Sequence, residues 1–309
     1  MRAVLCVLIS TFVAGCAAHR PATVSTTKPT PVAEAATSGA PPPGESLENF
    51  MAKVRKLSTE ARPTGQAAAT VEAGNPALSA AAAVATFAPS PTTLRAAAEE
   101  YRRAGIFDKA LGFLTRALAL NPKDAATLDL IARLWRDSGL PEVGITDAHR
   151  AVFYAPDNPI VHNTLGTIFQ ALGRRALARG EYERALQLDG AASYALNNLC
   201  YGWVLEGRAA KAIATCEAAL RVDPTLTAAR NNLGLAHAVA GDAAAASAAF
   251  AQAGDRATER YNTGIIRLAE RDYAGAIAAF ESAHTARPSL AEAAARAQQA
   301  RAAKAALEE

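Results

Sequence analysis

Side chains that commonly perform catalysis are few in this 309-residue sequence, and they do not fall into a pattern. The five histidines are scattered, and one pair with Glu281 and His284 on a shared helix face is not enough to bind a metal ion. The sequence has no phosphate-binding glycine loop, no G-x-S-x-G turn and no paired Cys/His zinc motif. The net charge of +3 is small and dispersed, which argues against nucleic-acid binding. We therefore expect no enzyme activity, cofactor, metal, small-molecule substrate or nucleic-acid partner.

Asparagine is the polar residue that does recur in a pattern. One set of three is spaced by 34 residues, and a second set runs beside it. The first set is Asn163, Asn197 and Asn231, and the second is Asn198, Asn232 and Asn262. Because an amide both donates and accepts hydrogen bonds, a row of amides can hold the backbone of an extended peptide without reading its sequence. The alternative is a structural role, in which the amides bond adjacent helices to each other.

Cys16 is the third chemical feature. It ends the sequence Val-Ala-Gly-Cys, directly after an apolar run that is about half as long as a membrane-spanning helix requires. This ending resembles the lipobox of bacterial lipoproteins. The resemblance implies that residues 1–16 are a lipoprotein signal peptide, that Cys16 is lipidated, and that the protein is attached to the inner leaflet of the outer membrane, facing the periplasm. An ordinary cleaved signal peptide with an incidental cysteine is the alternative.

The segments that follow the leader are predicted to connect it to the folded part of the protein. Residues 17–45 are rich in Pro, Ala and Thr and lack apolar periodicity, which predicts a disordered tether. Residues 46–61 predict a short amphipathic helix that packs on the rest of the protein or, alternatively, docks on a partner or membrane surface. Residues 62–90 are an Ala/Pro-rich linker that includes a helical stretch suited to a degenerate half-repeat.

From residue 91 onward the sequence repeats every 34 residues, so the amides must be positioned by a repeated element. Glycines mark the period at Gly105, Gly139, Gly173, Gly207 and Gly241. Two apolar stripes with helical spacing flank each glycine, which predicts two helices joined by a tight turn. Small residues recur within both stripes, and proline follows the second in several units. This pattern resembles the tetratricopeptide repeat (TPR) family, and the resemblance implies an all-α, right-handed superhelical solenoid of helix–turn–helix units.

The repeats divide into six predicted units followed by a capping helix at 290–309. The units are 91–124, 125–158, 159–192, 193–226, 227–256 and 257–290. The fifth unit is four residues short, and Arg271 replaces the glycine of the sixth. We therefore expect a tighter joint at Gly254–Asp255.

In the TPR family the first helix of each unit lines the concave side of the array, and some members hold peptides there on rows of asparagine. The corresponding positions here are charged in the first two units and apolar or aromatic in units four to six. The resemblance predicts an open groove that binds a peptide or protein partner. The candidate binding residues are Asn163, Asn197, Asn198, Tyr201, Asn231, Asn232, Leu235, Tyr261, Asn262 and Ile265.

Cys200 and Cys216 belong to one unit, one on each predicted helix and at the same distance from the turn. In an oxidising periplasm they can form a disulfide bond. The alternative is that both are small buried hydrophobic residues. The sequence leaves both alternatives open.

The leader and the repeats together resemble bacterial TPR lipoproteins of pilus assembly, including tight-adherence (TadD-type) and pilotin-like proteins. The resemblance implies a lipid-anchored adaptor in pilus or secretin assembly. Its motifs are those of the repeat, so two other functions stay open. One is an adaptor that recruits or regulates peptidoglycan enzymes, and the other is a self-associating structural scaffold.

Overall fold

The computed structural model describes residues 74–254 and 256–305. These residues form α-helices joined by short turns, with no β-strand among them, so the all-α prediction is confirmed. They fall into two compact bodies, an N-terminal body of residues 74–174 and a C-terminal body of residues 175–305. The predicted signal peptide with Cys16, the tether and the amphipathic helix at 46–61 lie outside the described residues.

The N-terminal body begins with a single helix and continues with helix pairs. Its helices are α1 (Pro76–Phe87), α2 (Pro91–Arg103), α3 (Phe107–Leu120), α4 (Ala125–Asp137), α5 (Pro141–Tyr154) and α6 (Pro159–Ala171). Several helices begin at proline, whose missing N–H has no helical partner at that position in any case. The Ser90 and Thr93 side chains bond each other's backbone N–H, which caps α2.

The C-terminal body continues the pairs and ends with a further helix. Its helices are α7 (Arg175–Leu188), α8 (Ser193–Leu205), α9 (Ala209–Val222), α10 (Thr227–Ala240), α11 (Ala243–Gln252), α12 (Arg256–Ala269), α13 (Tyr273–Ala286) and α14 (Ala291–Ala305). Helix α11 has 10 residues, whereas the neighbouring second helices α9 and α13 have 14 each. The four residues that the fifth unit lacks are therefore missing from its second helix, α11.

The turns inside the pairs share one backbone conformation. The five regularly spaced glycines have φ between +72° and +91°, the left-handed region that glycine enters without a steric penalty. Arg271 takes the corresponding place in the last pair with φ +64°, and it is the one non-glycine residue with positive φ in the described part of the chain. An L side chain in this region costs about 1 kcal/mol.

Close helix packing in the C-terminal body depends on two glycines within helices. A Cβ at Gly234 would lie 2.3 Å from the Phe250 ring, and one at Gly264 would lie 2.6 Å from the Phe280 ring. Both rings are fully buried, so α10 and α12 each lie directly against the second helix of their pair.

A disulfide bond joins Cys200 of α8 to Cys216 of α9, with the two Cα atoms 5.3 Å apart. Both cysteines are fully buried in the core of the C-terminal body. Of the two alternatives that the sequence left open, the structure contains the disulfide.

Candidate functional site

The first helices of the N-terminal body carry a row of charged side chains that bond to one another. We call the charged row the set Arg95, Glu99, Arg102, Asp129, Arg133, Arg136 and Asp137. Arg102 of α2 bonds Glu99 of the same helix at 2.9 Å and also pairs with Asp137 of α4. Arg133 of α4 lies 3.7 Å from Glu99, so the ion pairs connect α2 to α4.

The row continues to the next first helix. The Arg136 guanidinium bonds Asp137 at 2.7 Å and donates to the Thr167 hydroxyl of α6 at 2.6 Å. Hydrogen bonding from Arg102 lowers the pKa of Glu99, as expected for a carboxylate that is stabilised in its charged form. Apart from one oxygen of Asp129, the charged groups of this surface therefore pair with one another or with hydroxyl groups of the same body.

Asp129 is the buried member of the charged row. Asp129 is 4% exposed, and one of its two carboxylate oxygens, Oδ1, has no hydrogen-bond partner. Burial raises its pKa to about 6, against the opposing effects of Thr164, Arg133 and Arg136. The charge of Asp129 is thus maintained at neutral pH at a cost to stability.

The C-terminal body carries amides at corresponding positions of its first helices. We call the amide row the set Asn197, Asn198 and Tyr201 of α8 with Asn231 and Asn232 of α10. The Asn232 amide Nδ2 donates to Asn197 Oδ1 at 2.9 Å, which bonds α10 to α8. The structural role considered for these asparagines therefore holds for this pair.

Two other atoms of the amide row have no partner. The Tyr201 hydroxyl and Asn231 Oδ1 are buried and make no hydrogen bond within the described residues. Burial raises the pKa of Tyr201, while Arg175 of α7 acts in the opposite direction. A buried polar atom without a partner costs about 1–3 kcal/mol. Because both atoms are covered, a partner can bond them only if the two side chains turn outward; a backbone N–H would then donate to Asn231 Oδ1, and a backbone carbonyl would accept from the Tyr201 hydroxyl.

The predicted open apolar strip in the C-terminal body is wrong. Leu235 is 6% exposed, Tyr261 and Ile265 are 2% exposed each, and Asn262 is 3% exposed. The three apolar residues belong to the same core cluster as the Cys200–Cys216 disulfide, because neighbouring first helices pack side by side through these positions. These four residues are therefore not surface groups.

Asn163 and Arg175 also differ from the sequence-based expectation. Asn163 lies on α6 in the N-terminal body, half-buried, and is not a member of the amide row. Arg175 was not predicted as a site residue. The sequence carries no signal for it, because its proximity to Tyr201 depends on how α7 packs against α8.

Other kinds of site receive no support from the described ranges. In residues 74–254 and 256–305, no three His, Cys, Asp or Glu side chains are grouped so that they could hold a metal ion. Within the same ranges, every helix is too short or too polar to cross a membrane.

Comparison with known proteins identifies the fold. No family model matches the sequence, and no curated protein matches it. A tetratricopeptide repeat protein from Parabacteroides merdae is 16% identical and has a TM-score of 0.59, over 81% of this chain and 99% of that chain. PilW, a widely conserved type IV pilus biogenesis factor, is 19% identical with a TM-score of 0.55, over 64% of this chain and 94% of its own. The pilF protein of Pseudomonas aeruginosa is 16% identical with a TM-score of 0.53, over 69% of this chain and 96% of that chain.

At these identities the likeness shows the fold alone. The chain is an all-α TPR solenoid of helix–turn–helix units, as its 34-residue period predicts.

Proposed function

We propose that this protein is a non-catalytic cell-envelope adaptor that binds a peptide or protein partner along the amide row. One observation carries the proposal: the Tyr201 hydroxyl and Asn231 Oδ1 are buried without hydrogen-bond partners on adjacent first helices. The charged row occupies the corresponding surface of the N-terminal body, where the arginines are paired and one acceptor oxygen, Asp129 Oδ1, is not. Only the amide row leaves both a donor and an acceptor unpaired, which favours the C-terminal body as the binding surface.

The chemistry of the amide row suits an extended backbone. One unpaired group accepts a hydrogen bond and the other can donate one, which matches the alternating N–H and C=O groups of a peptide. The Asn232–Asn197 bond holds α10 against α8 before a partner arrives. A site that is already ordered loses less entropy on binding than one that must be assembled.

The envelope location is supported by two independent features. The lipobox-like sequence at Cys16 favours lipid attachment, and several acyl chains would make that attachment durable at about 0.8 kcal/mol for each buried CH₂ group. The Cys200–Cys216 disulfide favours an oxidising compartment such as the periplasm. We place the protein at the inner leaflet of the outer membrane.

Pilus or secretin assembly is the pathway that we propose. The likeness to PilW, a type IV pilus biogenesis factor, supports it together with the resemblance of the leader and repeats to TadD-type and pilotin-like lipoproteins. The partner would then be a pilus or secretin subunit.

The test compares partner capture with stability in one variant. The double substitution Tyr201→Phe and Asn231→Leu removes both unpaired polar atoms without removing a bond that the fold uses. We expect co-purification of secretin or pilus subunits with the tagged protein from its own cells to fall at least about tenfold, which corresponds to 1.4 kcal/mol. The thermal midpoint should not fall, because each removed atom is buried without a partner in the free protein.

Asn163→Leu is the matched control, because Asn163 holds the same repeat position in the N-terminal body. It should capture the partner as the wild type does. Unchanged capture by the double variant would contradict the proposed site, and capture of peptidoglycan hydrolases in place of secretin or pilus subunits would contradict the proposed pathway.

A further inference from the structure

Helix α1 has an uncovered apolar face. The helix, PALSAAAAVATF, contains no charged residue. One side packs on the next helix pair, where Leu78 and Ala85 are fully buried. Leu78 lies in a cluster with Tyr101 and Leu114, and Ala85 in a cluster with Leu94.

The opposite side of α1 faces solvent. Pro76, Ala80, Ala83 and Phe87 recur at helical spacing on this side, and all four are exposed. Phe87 is 88% exposed, and Val84 beside it is 54% exposed. A mostly apolar helix is normally buried on most of its sides, so this face, whose only polar neighbours are Ser79 and Thr86, lacks a partner among the described residues.

The complete pairs indicate what kind of element is missing. In α3, Ala110, Leu114 and Ala117 are fully buried, because a second helix packs on the first helix of its own pair as well as on the following pair. Helix α1 contacts the following pair in the same way, but no helix precedes it among the described residues. The exposed face lies where a first helix would pack.

We propose that residues 46–57 of the same chain cover this face as the missing first helix. These residues directly precede the linker to α1, and their large apolar members recur at helical spacing. The apolar members are Leu47, Phe50, Met51, Val54 and Leu57. A helix of this length is ~18 Å long, which matches α1 at the same rise per residue.

The connecting chain permits this arrangement. Residues 58–75 can span up to ~60 Å when extended, so the segment can lie antiparallel to α1. Attachment through such a linker gives an effective concentration of about millimolar, which favours the chain's own segment over a second copy. The tether between Cys16 and the repeats would then consist of residues 17–45.

Hydrogen exchange of the full chain carrying Cys16→Ser, in buffer without detergent, tests the proposal. We expect the amides of residues 46–57 to exchange about tenfold or more slowly than in the variant Phe87→Asp, which places a charge on the α1 face. Phe50→Asp, on the segment side, should remove the protection equally. Phe153→Asp is the matched control, because Phe153 is 77% exposed at the end of α5, away from α1.

Exchange of residues 46–57 at the same rate in the wild type and in Phe50→Asp would overturn the proposal. It would also be overturned by protection that appears only with a dimer in light scattering, since a second copy would then be the occupant. Protection that requires vesicles of phosphatidylethanolamine and phosphatidylglycerol would overturn it in favour of a membrane surface.

Discussion

The two bodies use corresponding positions of their first helices for different chemistry. In the N-terminal body, Arg102 bonds Glu99 and Asp137, and Arg136 bonds Thr167, so the charged row is paired within the fold except at Asp129 Oδ1. In the C-terminal body, Tyr201 and Asn231 leave buried polar atoms unpaired. The repeat determines where these side chains lie, and their identity determines whether a surface completes its own hydrogen bonds or leaves both a donor and an acceptor unpaired.

Loss of the disulfide bond should destabilise the C-terminal body alone. Replacing Cys200 and Cys216 by alanine removes the cross-link between α8 and α9, which closes a loop with a sequence separation of 16. We expect the free energy of unfolding of the C-terminal body to fall by about 3 kcal/mol, because the unfolded chain regains loop entropy. Hydrogen exchange should show this loss in α8 to α10 and unchanged protection in α2 to α4. Equal loss in both regions would show that the two bodies do not unfold separately.

Asp129 supplies a pH test of the charged row. Its pKa is raised from 3.8 to about 6, so the folded state binds this proton more tightly than the unfolded chain does. The carboxyl group therefore stabilises the fold below about pH 4, and that contribution is lost as the pH rises to about 6. Asp129→Asn cannot ionise and should be more stable than the wild type at pH 7 by about 1–3 kcal/mol.

Urea unfolding of both proteins at pH 4.5 and pH 7 measures the effect of Asp129→Asn. The advantage of the variant should be smaller at pH 4.5. An equal difference at the two pH values would mean that burial of the carboxylate does not determine the effect.

A paired substitution tests the contrast between the rows themselves. Arg102→Leu removes the guanidinium that Glu99 and Asp137 share, and we expect it to lower the free energy of unfolding by about 1–2 kcal/mol. Tyr201→Phe removes a buried hydroxyl that has no partner and should raise the free energy of unfolding by about 1–3 kcal/mol. Denaturant unfolding of both variants gives the values. A larger fall in the free energy of unfolding for Tyr201→Phe than for Arg102→Leu would contradict the claim that the charged row is paired and the Tyr201 hydroxyl is not.

The smallest expected effect concerns the irregular turn of the C-terminal body. Arg271→Gly should raise stability by about 0.5–1 kcal/mol, because glycine adopts the positive φ of this turn without strain. Gly207→Ala, in a regular turn of the same body, is the control and should lower stability by a similar amount. The thermal midpoints of both variants decide the matter, and a lower midpoint for Arg271→Gly would indicate that the arginine side chain makes a compensating contact.

The fold could be predicted from the sequence, because glycine, alanine and proline each keep the 34-residue period and each has a distinct role in a helix pair. The closeness of Asn197 and Asn232 follows from the same period, whereas Asn262 is buried and Asn163 lies in the other body. The burial of Leu235, Tyr261 and Ile265 could not, because it depends on how closely the first helices of successive units approach one another.

The disulfide bond and the unpaired atoms also could not be predicted from the sequence. Their spacing places Cys200 and Cys216 level with each other, but bond formation depends on the redox state of the compartment. The pairing of Asn197 with Asn232, and the lack of a partner for Asn231 Oδ1, follow from side-chain distances that no repeat pattern encodes.

The most direct test of the account is photocrosslinking in living cells from one position in each row. A benzoylphenylalanine residue replaces Tyr201 in the amide row or Arg133 in the charged row, and the tagged protein is then examined for covalent adducts after illumination. If the partner binds along the amide row, we expect an adduct from position 201 and none from position 133. An adduct from position 133 alone would contradict it and would place the partner on the charged row.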